Sequence, residues 1–165
     1  MSFWPADIEE TAKRIVADFT ERKLLAATAE SCTAGLIAGA ITEIAGSSTM
    51  FDRGFVTYSN DAKQEMLGVS GKTLAAFGAV SRQTALEMAE GAIERSAAVI
   101  SVAVTGIAGP GGGSPEKPVG LVHLAAARKG YPTLHREMRY GDIGRSAVRL
   151  ATLRTAFEML EELGR

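Results

Sequence analysis

The chain is poor in the residues that build metal centres and disulfides. It holds one cysteine, Cys32, and two histidines, His123 and His135, in 165 residues. A single cysteine excludes an intrachain disulfide. With only two histidines beside it, a structural zinc site of the usual Cys/His type cannot be assembled. Both histidines fall in segments that read as strands and are expected to be satisfied there, which leaves a Ser-His-Asp triad poorly supported. Neither sign of charge dominates: 18 Lys and Arg stand against 19 Asp and Glu, for a formal charge of −1. No global field therefore draws nucleic acid or an anionic membrane to this surface. No apolar run approaches the length of a bilayer span, and Asp7, Glu9 and Glu10 occupy the place of a secretory signal's basic segment. The expectation is a cytoplasmic protein with no nucleic-acid or membrane partner and no metal or cofactor.

What is present is an ordinary globular balance, 46% apolar and 22% charged, in a length that suits one domain with a full core. Residues 1–165 are expected to form that one domain. Periodicity predicts helices over Asp7–Arg22, Ala34–Ile44, Asn60–Leu67, Thr73–Phe77, Ser81–Arg95 and Ile143–Leu163. Strands are predicted over Leu24–Ala29, Met50–Tyr58, Val99–Val104, Val119–Ala126 and Leu134–Met138. Helices alternate with strands early and strands cluster late. That order implies an α/β fold with helices on both faces of a mixed sheet.

The segment SVAVTGIAGPGGGSPEKPVGLVH, from Ser101 to His123, reads as strand, glycine loop, strand. Gly106, Gly109, Gly111 and Gly112 free the backbone for positive φ and for close approach of a ligand, and consecutive N–H groups exposed this way can converge on an anion. A flexible surface hairpin is the other reading. No Gly-Lys-Ser/Thr follows, so this is not a Walker loop. A strand rather than a helix comes next, so it is not a dinucleotide fingerprint either.

Polar residues gather where the apolar strands end: Glu30, Ser31 and Thr33; Tyr58, Ser59, Asn60 and Lys63; Thr105 and the glycine loop. Ligands sit at such strand ends in open α/β sheets. With Asn60 as N-cap, Lys63 falls at the third helical position, where the helix dipole disfavours an ammonium. A partly desolvated lysine there becomes a general base and activates a nearby serine without histidine; a solvated surface lysine is the alternative. Tyr58, at the strand end, can relay a proton or orient the amine. Cys32 opens a helix, where a thiolate is favoured, or is simply a small buried residue. Arg145, near the start of the last helix, is either a plain surface charge or a bidentate partner for phosphate or carboxylate.

Taken together, AESCTAG from Ala29, AGSSTMFDRGFVTYSNDAK from Ala45, GAVS from Gly78, VTGIAGPGGG from Val104 and KPVG from Lys117 resemble the C-terminal domain family of the competence/damage-inducible protein CinA. The segments follow the family's order over most of the chain. Two departures are Ala34, where the family usually has a Gly of ESCTGG, and Ala45, where Pro is common. The family's larger two-domain members carry a further N-terminal domain, which this sequence is expected to lack. The resemblance implies a three-layer α/β/α sandwich with a mixed central sheet. It also implies a Ser/Lys amidase acting on a small nucleotide, nicotinamide mononucleotide (NMN), within a homo-oligomer. By motif, Ser48 is implied as nucleophile and Lys63 as its base, with Tyr58 assisting. Ser31 and Thr105 line the site or stabilise the oxyanion, and Arg145 holds the substrate. The substrate phosphate is placed near the glycine-loop N–H groups or Arg145. A further possibility puts the nucleophile at Ser31, which stands at a helix start.

Overall fold

The computed structural model describes residues 2–165. In chain order its elements are α1 (Ala6–Glu21), β1 (Ala26–Glu30), α2 (Leu36–Thr42), β2 (Phe51–Val56), α3 (Asn60–Leu67), α4 (Gly71–Phe77), α5 (Arg82–Glu94), β3 (Ile100–Gly106), β4 (Leu121–Arg128), β5 (Leu134–Arg139) and α6 (Arg145–Gly164), with one turn of 3-10 helix at Ser47–Thr49. Each predicted helix and strand is present, with ends moved by a few residues. The largest change is at α2. Ala34 and Gly35 take positive φ, 46° and 95°, so the helix cannot begin until Leu36. Gly46, at φ 85°, opens the 3-10 turn.

One five-stranded sheet runs in the order β2-β1-β3-β4-β5. β1 pairs parallel with β2 and β3, whereas β4 pairs antiparallel with β3 and β5. The parallel pairs arise where helices supply the crossover, and the antiparallel pairs where a loop alone connects the strands, the long glycine loop between β3 and β4 and a short one between β4 and β5. Alternate residues of the strands feed two cores. On one face Ile100, Val102, Val104, Val122 and Leu124 pack with Ile8, Ile15 and Phe19 of α1, Ile37 and Ile41 of α2, and Phe157 and Leu160 of α6. On the other, Ala27, Ala29, Ala103, Ala125 and Ala127 lie under Ala85, Met88, Ala89 and Ala92 of α5 and Leu67 of α3. The protein is therefore a three-layer α/β/α sandwich around a mixed sheet.

The alanines of the second face bring α5 close to the strands, and Ser101 Oγ donates to the Ala89 carbonyl at 2.6 Å. α3 is drawn in as well. Gly91 of α5 sits against the last turn of α3, and a Cβ there would stand 2.0 Å from the Leu67 carbonyl oxygen. β2 and β3 lie on opposite sides of β1, so the chain reverses its winding at β1. The loops after β1, β2 and β3 meet at one end of the sheet, the usual place for a ligand crevice.

Gly91→Ala should lower stability by about 1–3 kcal/mol, because the added methyl forces α3 and α5 apart despite the better helix propensity of alanine. Urea denaturation of the variant against the native chain measures it.

Candidate active site

Two main-chain hydrogen bonds tie the ends of β1, β2 and β3 together. The Ser31 N–H donates to the Val104 carbonyl at 3.0 Å and the Thr57 N–H to the Glu30 carbonyl at 2.9 Å. Past these bonds the chain opens a cavity of about 280 Å³ lined by Ser31, Cys32, Tyr58, Lys63, Ala79, Val80, Thr105, Arg145 and the glycine loop from Gly106 to Gly112.

Lys63 is at its floor and only 1% exposed. Ser59 is the N-cap of α3, its hydroxyl accepting from the Ala62 N–H at 3.0 Å. Asn60 is the first helical residue rather than the cap, which sets Lys63 one position further in than the sequence suggested. The side chain turns back under the end of β2. Its Nζ lies 2.8 Å from the Thr57 carbonyl oxygen, 3.5 Å from that of Tyr58, and 3.0 Å from Ser31 Oγ. No carboxylate pairs with it among the described residues. Burial therefore lowers its pKa from the ordinary 10.5, opposed in part by Cys32. Loss of solvent, rather than the helix dipole, is the main cause. Its polar neighbours are thus two carbonyl oxygens and one hydroxyl, each within reach of an N–H of the amine.

The implied partnership of Lys63 with Ser48 does not survive the fold. Ser48 lies in the 3-10 turn before β2, beside α1, where Thr49 Oγ1 meets Thr20 Oγ1 at 2.9 Å. Lys63 follows the other end of the same strand. Six residues of β2 separate those ends, or roughly 20 Å of extended chain. Ser31, held as the alternative nucleophile, is the hydroxyl that meets the amine.

Tyr58 also differs from its expected part. Its main-chain carbonyl faces Lys63, while its phenol, on a ring 62% exposed, accepts from Arg145 Nη2 at 3.2 Å. Arg145 Nη1 donates to the Gly109 carbonyl at 2.8 Å. The guanidinium thus spans the cavity mouth from Tyr58 to the glycine loop. Thr105 lines the cavity, but its hydroxyl proton goes to the Ala79 carbonyl at 2.8 Å, which fixes the rim ahead of α5 instead of serving an oxyanion.

The glycine loop is shaped by close approaches. A Cβ on Gly109, at φ 82°, would stand 2.5 Å from Val119, and one on Gly106 would stand 2.6 Å from Val122. The N–H groups of Ala108, Gly109, Gly111, Gly112 and Gly113 meet no protein acceptor among the described residues. A larger and shallower hollow of about 630 Å³ lies across the loop, bounded by Pro110, Ser114, Arg139 and Asp142, and no lysine lines it.

Cys32 is buried, and burial pushes its thiol up to about 11, so it is the small buried residue and not a thiolate. His123 and His135 bond each other across β4 and β5, Nδ1 to Nε2 at 3.0 Å, as satisfied strand residues. Two residues that the sequence did not single out for a role converge on the turn after Ser31. Glu30 accepts from Thr33 and from the start of α2, and Arg149 of α6 donates to the Cys32 and Thr33 carbonyls. Glu30 had one signal available, a carboxylate closing an otherwise uncharged buried strand.

The profile of the CinA C-terminal domain family matches residues 8–163. Over 123 residues the chain is 58% identical to nicotinamide-nucleotide amidohydrolase PncC of Enterobacter agglomerans, 74% of each chain being covered. Over 128 residues it is 55% identical to a CinA-like protein of Akkermansia muciniphila, covering 78% of this chain and 31% of that one. The chain spans about a third of the length of several such curated relatives. Among solved structures, competence/damage-inducible protein CihA of Agrobacterium tumefaciens superposes over the whole of both chains with a TM-score of 0.99 at 68% identity. Competence damage-inducible protein A of Klebsiella pneumoniae gives 0.89 at 34% identity, over 94% of this chain and 95% of that one.

Because the fold holds Lys63 less ready to take a proton than the unfolded chain does, the unfolded chain carries the extra proton between the lowered native value and 10.5. Stability contributed at this position should therefore rise as pH climbs through that window, with a slope approaching about 1.4 kcal/mol per pH unit, and level off above it. Denaturation of the native chain and of Lys63→Met across alkaline pH measures the difference, and the variant should lack the rise.

Proposed function

The chain belongs to the CinA C-terminal domain family, and from that premise we propose that it is an amidohydrolase acting on the carboxamide of nicotinamide mononucleotide, with Ser31 as nucleophile and Lys63 as its base. The observation that carries this reading is the 3.0 Å contact between Lys63 Nζ and Ser31 Oγ on the floor of the cavity, with no carboxylate to hold the amine charged. The substrate class follows the name borne by the Enterobacter relative.

In this reading the Ser31 oxygen attacks the carboxamide carbon while its proton passes to Lys63. Negative charge collects on the former carbonyl oxygen, where main-chain N–H groups of the cavity wall stabilise it. The tetrahedral adduct collapses as Lys63 returns the proton to the leaving nitrogen, releasing ammonia and leaving an ester on Ser31. Water, deprotonated by the same amine, cleaves the ester to nicotinic acid mononucleotide and restores the hydroxyl. The nucleotide phosphate is assigned to the mouth, where Arg145 and the free N–H groups of the glycine loop supply positive charge and donors.

Ammonia release from NMN should fall at least about a thousandfold in Ser31→Ala and in Lys63→Ala and stay within about twofold of native in Ser48→Ala, whose site lies at the far end of β2. Native turnover in Ser31→Ala would end the assignment. NMN binding by calorimetry with no ammonia above background would mark a binding module instead. Arg145→Met should raise the KM for NMN about tenfold and change turnover of nicotinamide riboside far less, which steady-state kinetics on the two substrates will show.

A further inference from the structure

The turn that carries Ser31 is gripped by two charged side chains with no part in the chemistry above. Glu30, the last residue of β1, is 0% exposed and makes no ion pair among the described residues. Its Oε1 accepts from the Thr33 hydroxyl at 2.7 Å and the Ile37 N–H at 2.9 Å, and its Oε2 from the Ala38 N–H at 3.1 Å. On the carbonyl side of the same turn, Arg149 Nε donates to the Cys32 carbonyl at 3.1 Å and Nη2 to that of Thr33 at 3.2 Å.

Gly35 stands before α2 at φ 95° with no side chain to offer, and a Ser, Thr, Asp or Asn would be strained there, so Glu30 meets N–H groups that a cap residue would otherwise serve. What the glutamate adds is reach: it joins the end of β1 to the start of α2 across the one residue whose hydroxyl faces Lys63. Between the two grips Ala34 is held at φ 46°, a left-handed conformation that a residue with a Cβ keeps only when its surroundings over-determine it.

We propose that Glu30 and Arg149 are positioning residues for Ser31, holding the turn between β1 and α2 through the Thr33 hydroxyl and the first N–H groups of α2 on one side and the Cys32 and Thr33 carbonyls on the other, so that the hydroxyl stays aimed at the amine of Lys63. The proposal rests on the Ser31–Lys63 reading. It also means that the N–H groups of Ile37 and Ala38 are engaged by the protein itself and do not serve a substrate anion.

The test is the rate at which an uncharged alkyl fluorophosphonate labels Ser31, followed by intact mass and peptide mapping. That rate reports the reactivity of the hydroxyl whichever amide is the substrate. Glu30→Gln and Arg149→Met should label about 100-fold more slowly, with native circular dichroism and with the pH midpoint of labelling, set by Lys63, unmoved. Arg149→Lys, which keeps one donor to the turn, should recover part of the rate. Labelling of Glu30→Gln at the native rate would overturn the proposal. So would slow labelling accompanied by a shifted pH midpoint and altered circular dichroism in both variants, the mark of a merely structural role. Should Glu30→Gln fail to fold, Thr33→Val, which removes one donor to the carboxylate, and Arg149→Met carry the same comparison. A native chain that is labelled at Ser48, or not at all, would overturn the dyad itself, and this is seen without any variant.

Discussion

A primary amine buried among carbonyl oxygens, with no carboxylate to balance it, is the constraint around which the rest of this molecule is arranged. An ammonium in that place would lose its hydration and gain no ion pair. Burial therefore makes this amine give up its proton more readily than it would in water. That burial draws on the cap at Ser59, the close seat of α3 on α5 at Gly91, and the bonds that draw the ends of β1, β2 and β3 together. Each is an ordinary packing device, and their sum places one nitrogen beside one hydroxyl.

The layers were legible in the sequence because each depends on local patterning. Branched residues alternate along β3, turn residues bound the strands, and the stripe of Ile8, Ile15 and Phe19 marks α1. Lys63 was legible too as a lysine in a helix's first turns, open to desolvation, and the structure shows that burial outweighs the helix dipole there. Burial of a lysine is a tertiary fact, set by strands that lie tens of residues away. The pairing of Ser48 with Lys63 illustrates a different limit. Ser48 and Lys63 are close in sequence, but one precedes β2 and the other follows it, and an extended strand separates what it joins. Parallel neighbours bring residues after their strands to one place, and by that rule Ser31, Lys63 and Thr105 belong together.

The same rule explains why the remaining contributors escaped notice. Arg149 is 117 residues from Cys32, and nothing in the spacing of a surface-type arginine indicates which carbonyl it will meet. Glu30 stood in plain view within a motif, but its task of holding N–H groups seven and eight residues further on appears only once the turn is folded. Thr105 and Tyr58 were correctly gathered at the cavity, yet the atoms they offer are committed elsewhere, to Ala79 and to Arg145. Residue type and neighbourhood were readable; the direction of a hydroxyl was not.

Arg145 and Arg149 are four residues apart on α6, so they project from one side of the same rod. One guanidinium bridges the mouth of the cavity, and the other braces the backbone beneath Ser31. A rigid helix cannot turn or slide at one of these points and stay still at the other. Mouth and floor of the cavity thus hang from one rod, and a displacement of α6 would be felt at both.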